Sequence, residues 1–157
     1  MQTGVATDHL ALLHKIRDSV GHIDTPGLSD EEINSFLESD PSLSLAIEEA
    51  ALRFQVMAAE YPQLYMDSDE QELITNLQEG FVNFYNPATV NPYVALAARG
   101  PWIVSSHGAV IHDNGGYGML GAGHGPSKVI ESMADNWVMA NVMTASFSQK
   151  RLEERLR

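Results

Sequence analysis

Residues 93–113 read YVALAARGPWIVSSHGAVIHD, and this stretch decides the architecture of the second half of the chain. It contains three short runs of β-prone residues, at 93–98, 102–106 and 109–113. Gly100-Pro101 separates the first run from the second. His107-Gly108 separates the second from the third, and we interpret it as a two-residue turn with glycine where φ must be positive. The stretch predicts a small antiparallel sheet of three strands.

The glycine run, residues 111–126, follows the predicted sheet and reads IHDNGGYGMLGAGHGP. It contains six of the 12 glycines in the chain. Such a run can cradle a nucleotide, hold a metal ion, or form a backbone turn that borders a pocket. An irregular turn with no ligand is the structural alternative.

The nucleotide interpretation depends on residues 116–121, which match the pattern G-x-G-x-x-G after a predicted strand. In a dinucleotide site a helix begins at that point, so that its N-terminal amides meet the pyrophosphate. Here further residues intervene before Pro126, where the next helix is predicted to start. An acidic residue about 20 positions later is also missing, because Asp135 comes too early and Glu153 too late. The sequence therefore disfavours this interpretation.

The metal interpretation uses four side chains, those of His107, His112, Asp113 and His124. They converge only if the glycine run folds back on the hairpin, and no pair has the one-face helical spacing of a zinc site. The pocket interpretation fits the residues better. Gly116 and Gly118 flank Tyr117, which would offer a ring and a hydroxyl with little bulk around it, unless Tyr117 is simply a packing residue.

The first 80 residues predict helices, with a recognisable start signal before each one. The signals are a cap at Thr7, a capping box at Ser29 and Glu32, Asp40-Pro41 before a long amphipathic helix, and a second capping box at Ser68 and Gln71. Two more helices are predicted from Pro126 and from Ser146, and the periodic pattern of the latter continues to Arg157 without a stop signal. This suggests a chain that continues. The fold class is α+β, with a helical region, a three-stranded antiparallel sheet and two further helices.

The composition is that of a globular domain, with 157 residues and 44% hydrophobic residues. There is no cysteine, no signal peptide and no apolar run near the roughly 18 residues of a membrane helix, so we expect a cytoplasmic protein. Residues 1–80 hold 16 Asp and Glu against three basic residues, and the net charge of the chain is −12. Nucleic-acid binding requires a basic patch, so we expect neither a nucleic-acid nor a membrane partner.

One spaced set of residues resembles a known family. The set is Gly100-Pro-Trp-Ile-Val-Ser-Ser-His-Gly108, Ile111-His-Asp113, Gly115-Gly-Tyr-Gly118, and Gly123-His124 before Pro126. It is similar to the N-terminal part of class III pyridoxal-phosphate aminotransferases, which are fold type I enzymes. In them a hairpin of the form G-x-W/L-x-x-D-x-x-G-x-x-Y-x-D precedes a glycine-containing loop, G-H and a helix. Ser105 and His112 depart from that pattern.

The resemblance implies a division into a helical N-terminal extension, residues 1–85, and the N-terminal segment of an aminotransferase, residues 86–157. It also implies a pyridoxal 5'-phosphate cofactor in the full-length protein, an ω-amino acid or amine donor, a keto acid acceptor and a homodimer. Gly116, Tyr117 and Gly118 become candidate substrate-side residues. Residues 141–146 resemble a stretch near the dimer interface, so Asn141 and Met143 are candidates as well, with Phe147 beside them.

The catalytic machinery of that family is missing from this sequence. The phosphate cup, the acid against the pyridine nitrogen and the Schiff-base lysine all lie downstream in the family, and Lys15, Lys128 and Lys150 match none of these positions. We therefore assign no catalytic, cofactor-binding or metal-binding residue and expect the chain alone to be inactive. We also expect exposed apolar surface around Trp102, Val104 and Ile111. The alternative function is a non-catalytic acidic helical interaction module in residues 1–85.

Overall fold

The structure, a computed structural model, describes residues 7–64, 66–80, 92–114, 121–134 and 147–156. The helices in these ranges are α1 (His9–Arg17), α2 (Asp30–Leu37), α3 (Pro41–Glu60), α4 (Glu70–Gln78), α5 (Ser127–Ala134) and α6 (Phe147–Leu156), with a short 3-10 turn at Pro62–Leu64. The strands are β1 (Ala95–Arg99), β2 (Trp102–Ser105) and β3 (Val110–His112). No helix in the described ranges combines the length and the apolarity needed to cross a bilayer.

The strands form an antiparallel sheet in the order β1-β2-β3, which confirms the predicted α+β class and the predicted three strands. β1 and β2 are joined through Gly100-Pro101, with Arg99 directly opposite Trp102. Gly100 has φ 55°, and the proline ring fixes a negative φ at the next position. A positive φ followed by a negative one is the pattern of a II′ hairpin turn, so these two residues specify the β1–β2 register.

The turn between β2 and β3 differs from the predicted two-residue turn. Val104 is paired with Val110, and the backbone N–H of Ser105 donates to the carbonyl of Ala109 at 2.9 Å. The loop therefore contains three residues, Ser106, His107 and Gly108. The N–H of Gly108 donates to the Ser105 carbonyl at 3.0 Å, and Gly108 has φ 74°. A glycine with positive φ at the end of a three-residue loop matches the twist of the strands as well as a two-residue turn does.

Arg17 anchors the tip of this second hairpin to the helices. Its Nε donates to the carbonyl of Gly108 at 3.0 Å, and its Nη1 donates to Oδ1 of Asp30 at 2.7 Å. The Arg17 guanidinium, with a smaller contribution from His14, lowers the pKa of the Asp30 carboxyl. A Cβ at position 108 would lie 2.8 Å from Cγ of Arg17, so glycine is required there by space as well as by φ.

Two of the predicted helix starts are confirmed. Ser29 and Glu32 form the capping box of α2, with the Ser29 hydroxyl accepting from the Glu32 N–H and the Glu32 carboxylate accepting from the Ser29 N–H. Asp40 caps α3 by accepting from the N–H of Ser42 at 2.9 Å, and Pro41 occupies the first turn. Both signals are local, because the atoms that bond lie within three residues of one another.

The other two predicted starts are wrong. α1 is capped by Asp8 rather than Thr7, because Oδ1 of Asp8 accepts from the N–H of Ala11 at 3.0 Å. At α4 the predicted capping box of Ser68 and Gln71 is absent, and Asp69 is the N-cap residue without a side-chain cap bond. The Asp69 carboxylate instead accepts from the backbone N–H of His22 at 2.6 Å. Contacts with a distant segment have replaced the local cap.

The core lies between α3 and the sheet, with α1 and α2 against α3. Its fully buried apolar side chains include Leu13, Ile33, Leu43, Ile47, Leu73, Val104 and Val110. The predicted exposure of Trp102 and Val104 is wrong, since Trp102 is 1% exposed and Val104 is fully buried. Ile111 is partly exposed. The reason is that the helices of the first 80 residues cover the sheet.

The chain divides into two compact units, one ending at Gly125 and one beginning at Pro126. The helical region and the sheet both belong to the first unit. The predicted boundary at 85/86 falls outside the described residues. In the second unit the predicted helix after Pro126 is present as α5, and its apolar residues Val129, Ile130 and Met133 are exposed. α6 begins at Phe147, whose side chain is 94% exposed.

Candidate functional site

The five predicted site residues all lie outside the described residues; they are Gly116, Tyr117, Gly118, Asn141 and Met143. Both ends of the glycine run are described, from β3 to Asn114 and again from Gly121. The candidate site is therefore built from the residues on which the glycine run begins and ends. We call Gly100, Asp113, Gly123 and His124 the loop base.

The loop base joins the two ends of the glycine run. Oδ2 of Asp113 lies 2.8 Å from Nε2 of His124. The backbone N–H of Gly100 donates to the carbonyl of His124 at 3.0 Å, and the N–H of His124 donates to the carbonyl of Gly100 at 2.7 Å. The N–H of Asp113 donates to the Pro101 carbonyl at 2.7 Å. Three backbone hydrogen bonds thus tie the ends of the run to the β1–β2 turn, and the Asp113–His124 contact joins the two ends to each other.

Two glycines near the end of the run have a positive φ, and one of them also lies against neighbouring backbone. A Cβ on Gly123 would lie 2.9 Å from the Gly100 backbone, and Gly123 has φ 74°. A Cβ on Gly125, with φ 56°, would lie 2.7 Å from Nη1 of Arg99. Gly121 has open space around it. Backbone packing and φ therefore favour glycine at position 123, and φ favours it at position 125.

Arg99 links the returning end of the run to α3. Its Nε donates to Oε2 of Glu49 at 2.8 Å, and its Nη1 donates to the carbonyl of Gly125 at 3.3 Å. Glu49 also pairs with Arg53 at 2.7 Å. The Glu49 carboxylate of α3 and the Arg99 guanidinium therefore form an ion pair beside the loop base.

The Trp102 ring packs against His112, at the end of β3 where the glycine run begins. Its ring centroid lies 4.7 Å from that of His112 in an edge-on arrangement and 4.9 Å from that of Phe36. Its indole N–H donates to Oδ2 of Asp40 at 2.8 Å. The Ser42 hydroxyl lowers the pKa of the Asp40 carboxyl, aided by the indole N–H of Trp102 and the N–H of Ser42 against an opposing effect of burial.

The Asp113–His124 pair is an arrangement with a recognised chemical capability. A carboxylate that accepts from one imidazole nitrogen fixes the tautomer and the orientation of the ring. The other nitrogen of the neutral ring, Nδ1, is then a hydrogen-bond acceptor. Both side chains are partly exposed, so a solute could approach the pair.

Of the four candidate metal ligands, the structure pairs Asp113 with His124 and gives His107 and His112 other partners. His107 is fully buried in the β2–β3 loop, where its Nε2 donates to the Ser68 carbonyl at 2.8 Å and its Nδ1 pairs with the Ser106 hydroxyl at 3.0 Å. His112 pairs with Asn114 at 2.6 Å. In the described part of the chain, no group of three His, Asp or Glu side chains could hold a metal ion. The nucleotide interpretation is not favoured either, because β3 ends an antiparallel sheet and α5 starts only at Ser127.

The lysines do not fit the covalent anchor of pyridoxal phosphate. A Schiff-base lysine is desolvated in a pocket or placed next to another cationic group. Lys15 and Lys128 are exposed on α1 and α5, and Lys150 on α6 pairs with Glu153 at 3.1 Å and Glu154 at 3.8 Å. These are the three lysines of the chain. No cofactor step can be assigned to them.

Two features of the site lay beyond the sequence reasoning. The bond between Trp102 and Asp40 joins residues 62 apart, and no pattern in the sequence indicates it. The sequence indicates Asp113 and His124 as candidate metal ligands, whereas the structure pairs them with each other. The sequence places six glycines between a predicted strand and Pro126. That feature is the signal that could suggest that the two ends of the run lie close together.

Comparison of the chain with known protein families, with curated proteins and with solved structures gives no match.

Proposed function

We propose that this chain is the N-terminal portion of a cytoplasmic, class III, fold type I aminotransferase that depends on pyridoxal phosphate. The enzyme would take an amino group from an ω-amino acid or an amine and pass it to a keto acid. In this proposal Gly116, Tyr117 and Gly118 border the substrate side of the pocket, while Asn141 and Met143 lie near a homodimer interface. Catalytic residues would be supplied by polypeptide outside this sequence.

The observation that supports this proposal is the order of elements around the glycine run. Two β-hairpins precede it, its ends are joined at the loop base, and α5 begins directly after Pro126. This is the order that the resemblance implies for the N-terminal part of such an enzyme. A run whose two ends are tied to the sheet is a suitable frame for residues that border a pocket, which is the role that the proposal gives to Tyr117.

The exposed apolar residues of the second unit support the dimer part of the proposal. Val129, Ile130 and Met133 on α5 and Phe147 on α6 are all exposed. Apolar residues that share an exposed helix are commonly covered by another surface, either a partner chain or a further part of the same protein. The proposal assigns that covering to the rest of the subunit and to the second subunit.

The first test is the coding sequence downstream of the codon for Arg157. The proposal expects an open frame that encodes a Ser-Gly-x-Glu-Ala phosphate loop and, much later, a lysine. An immediate stop codon would contradict it. In the longer product, Tyr117→Leu should raise KM for the amino donor roughly tenfold, because one pocket contact is lost. Tyr61→Leu, at an exposed tyrosine beyond α3, is the control and should leave KM unchanged.

The chain itself gives a second, independent test. Incubation with pyridoxal phosphate followed by borohydride should leave no stoichiometric adduct, since all three lysines are exposed or paired with carboxylates on their own helix. Mass spectrometry of the tryptic peptides measures this directly. A reduced adduct confined to one lysine would mean that the chain carries its own anchor, contrary to the proposal.

A second candidate function is a non-catalytic interaction module in the acidic helical region, residues 1–85. One observation favours it. Leu45, Leu52 and Val56 are exposed on α3, at spacings of seven and four residues, on the side opposite the buried Leu43 and Ile47. Such a stripe is typical of a helix that packs on both sides. A stop codon directly after Arg157 would favour this function over the enzyme.

A further inference from the structure

Asn114 stands where the chain leaves β3 and enters the glycine run. It is exposed, and the next residue in the sequence is Gly115. Its side-chain Oδ1 lies 2.6 Å from Nδ1 of His112. Because an amide oxygen only accepts, Nδ1 of His112 must carry the proton and donate it to this contact. Asn114 therefore has an amide carbonyl that is already polarised by a neighbouring N–H.

We infer that Asn114 is a site of spontaneous deamidation and that His112 assists the reaction. The backbone nitrogen of Gly115 loses its proton and attacks Cγ of Asn114, forming a five-membered ring. Negative charge moves onto Oδ1 in the tetrahedral intermediate. Nδ2 takes up a proton and leaves as ammonia, which gives a succinimide. Water then opens the ring at either carbonyl, so the products are aspartate or isoaspartate.

The role of His112 follows from where the charge develops. The Nδ1–H already points at Oδ1 in the ground state, so it is placed to stabilise the oxyanion that forms when the attack on Cγ converts the C=O double bond into a single bond. The edge-on contact of the His112 ring with buried Trp102 holds the donor in position. His112 is thus a positioned hydrogen-bond donor for the reacting carbonyl.

The sequence around the other asparagines makes the site selective. The chain has eight asparagines, and Asn114 alone precedes a glycine. A glycine has no Cβ to crowd the attacking nitrogen. Asn86 and Asn91 precede prolines, which have no N–H to lose. Asn34 and Asn76 lie within α2 and α4, where the following N–H belongs to the helical hydrogen-bond pattern.

The modification would change the loop base. A carboxylate at position 114 would lie beside Asp113, which already pairs with His124. Isoaspartate would also add a methylene to the backbone at the point where the run leaves the sheet. Ageing of the chain would therefore alter the start of the glycine run, whatever function that run serves.

The test is to age the purified chain at physiological temperature and neutral pH and to map deamidation by peptide mass spectrometry. An isoaspartate-specific methyl-transfer assay provides a second readout. We expect modification at Asn114 ahead of the seven other asparagines. In His112→Phe, which keeps an aromatic ring against Trp102, the rate should fall roughly fivefold, the rate equivalent of one ordinary hydrogen bond. His112→Gln retains an N–H donor and should recover part of the rate.

The same variants in concentrated urea are the control for intrinsic sequence effects. The unfolded chain has no fixed contact between His112 and Asn114, so wild type and His112→Phe should then deamidate at equal rates. Circular dichroism in buffer checks that each variant is folded. Equal rates for folded wild type and folded His112→Phe would overturn the role of His112. Preferential modification of an asparagine other than Asn114 would overturn the site.

Discussion

Glu70 is a fully buried acidic side chain at the first turn of α4. Its Oε2 accepts from the backbone N–H groups of Asp24 and Thr25, at 2.9 and 2.8 Å, and its Oε1 accepts from the Thr25 hydroxyl at 2.8 Å. Its position at a helix N-terminus also favours negative charge. Three donors and a helix end therefore satisfy the buried carboxylate without a basic partner among these contacts.

Replacing this carboxylate should destabilise the fold markedly. In Glu70→Gln the two backbone N–H groups and the Thr25 hydroxyl lose their charged acceptor, and charge-assisted hydrogen bonds are roughly twice as strong as those to a neutral amide. We expect the free energy of unfolding to fall by about 1–3 kcal/mol. Glu72→Gln, at an exposed position in the same helix, is the control and should change stability by less than about 0.5 kcal/mol. Equal effects in urea titrations of the two variants would contradict this assignment.

The lowered pKa of Asp40 predicts that the stability of the fold depends on pH. The Ser42 hydroxyl, and then the Trp102 indole, hold the pKa of its carboxyl below the 3.8 of an unperturbed aspartate. A carboxyl whose pKa is lowered on folding contributes stability that is present above the unfolded pKa. That contribution is lost as the pH falls through the folded pKa.

Asp40→Asn should therefore be less stable than wild type at neutral pH, by about 1 kcal/mol, because asparagine keeps the helix cap but not the charge. The difference in unfolding free energy should begin to shrink as the pH falls below about 4, where the carboxyl of the unfolded wild-type chain takes up a proton, and should be smallest below the lower pKa of the folded state. Urea unfolding at a series of acidic pH values measures it. Glu38→Gln, at an exposed neighbour, should follow wild type throughout. A pH-independent difference for Asp40→Asn would rule out the linkage.

At the scale of the element, two glycines with nearly the same φ differ in their surroundings. Gly123 has φ 74° and lies against the Gly100 backbone, whereas Gly80, at the end of α4, has φ 77° and nothing within 4 Å of its would-be Cβ. Any L-residue at either position is strained by about 1–2 kcal/mol. The contact adds to the strain at position 123 alone, because the neighbouring backbone cannot move without breaking the Gly100–His124 bonds.

Gly123→Ala should therefore destabilise the chain more than Gly80→Ala, by at least about 1 kcal/mol. Thermal unfolding of both variants measures the difference, and the shared φ removes the backbone contribution from the comparison. If the two variants lose equal stability, the close approach in the loop base does not constrain the glycine.

The capping box of α2 can be tested against a control substitution in the same helix. Ser29→Ala removes the hydroxyl that accepts from Glu32, and the expected loss is about 1 kcal/mol of stability. Ser35→Ala lies within the same helix at an exposed position, where alanine is the better helix former, so it should be neutral or slightly stabilising. Chemical denaturation of the pair separates the cap from general helix propensity. A loss in Ser35→Ala as large as that in Ser29→Ala would be inconsistent with a cap.

At the scale of the whole molecule, α3 connects the helical region to the sheet. It packs against α1, α2, β1 and β2, all within the first compact unit. One core therefore serves elements that are far apart in the sequence. Long-range contacts of this kind make unfolding cooperative, because neither region can keep its buried surface without the other.

Two leucines of α3 test this core. Leu43 is fully buried and Leu52 is 63% exposed, in the same helix. Leu43→Ala should cost about 2–5 kcal/mol, and Leu52→Ala less than about 1 kcal/mol. In Leu43→Ala the helical circular dichroism and the near-ultraviolet tryptophan signal should be lost in one transition at a lower urea concentration. Two separate transitions would show that the helical region and the sheet do not share a core.

The sequence by itself determined the features that depend on neighbouring residues. The cap at Ser29, the start of α3 at Asp40-Pro41 and the turn at Gly100-Pro101 were all predicted, because their atoms meet within a few residues. The tertiary structure alone decided the burial of Trp102, the replacement of the Ser68 cap, and the pairing of Asp113 with His124. The Trp102–Asp40 bond spans 62 residues, and the bond from His107 to the Ser68 carbonyl spans 39. Such contacts form only when the helices cover the sheet, since burial selects partners by position in space and leaves no local pattern in the sequence.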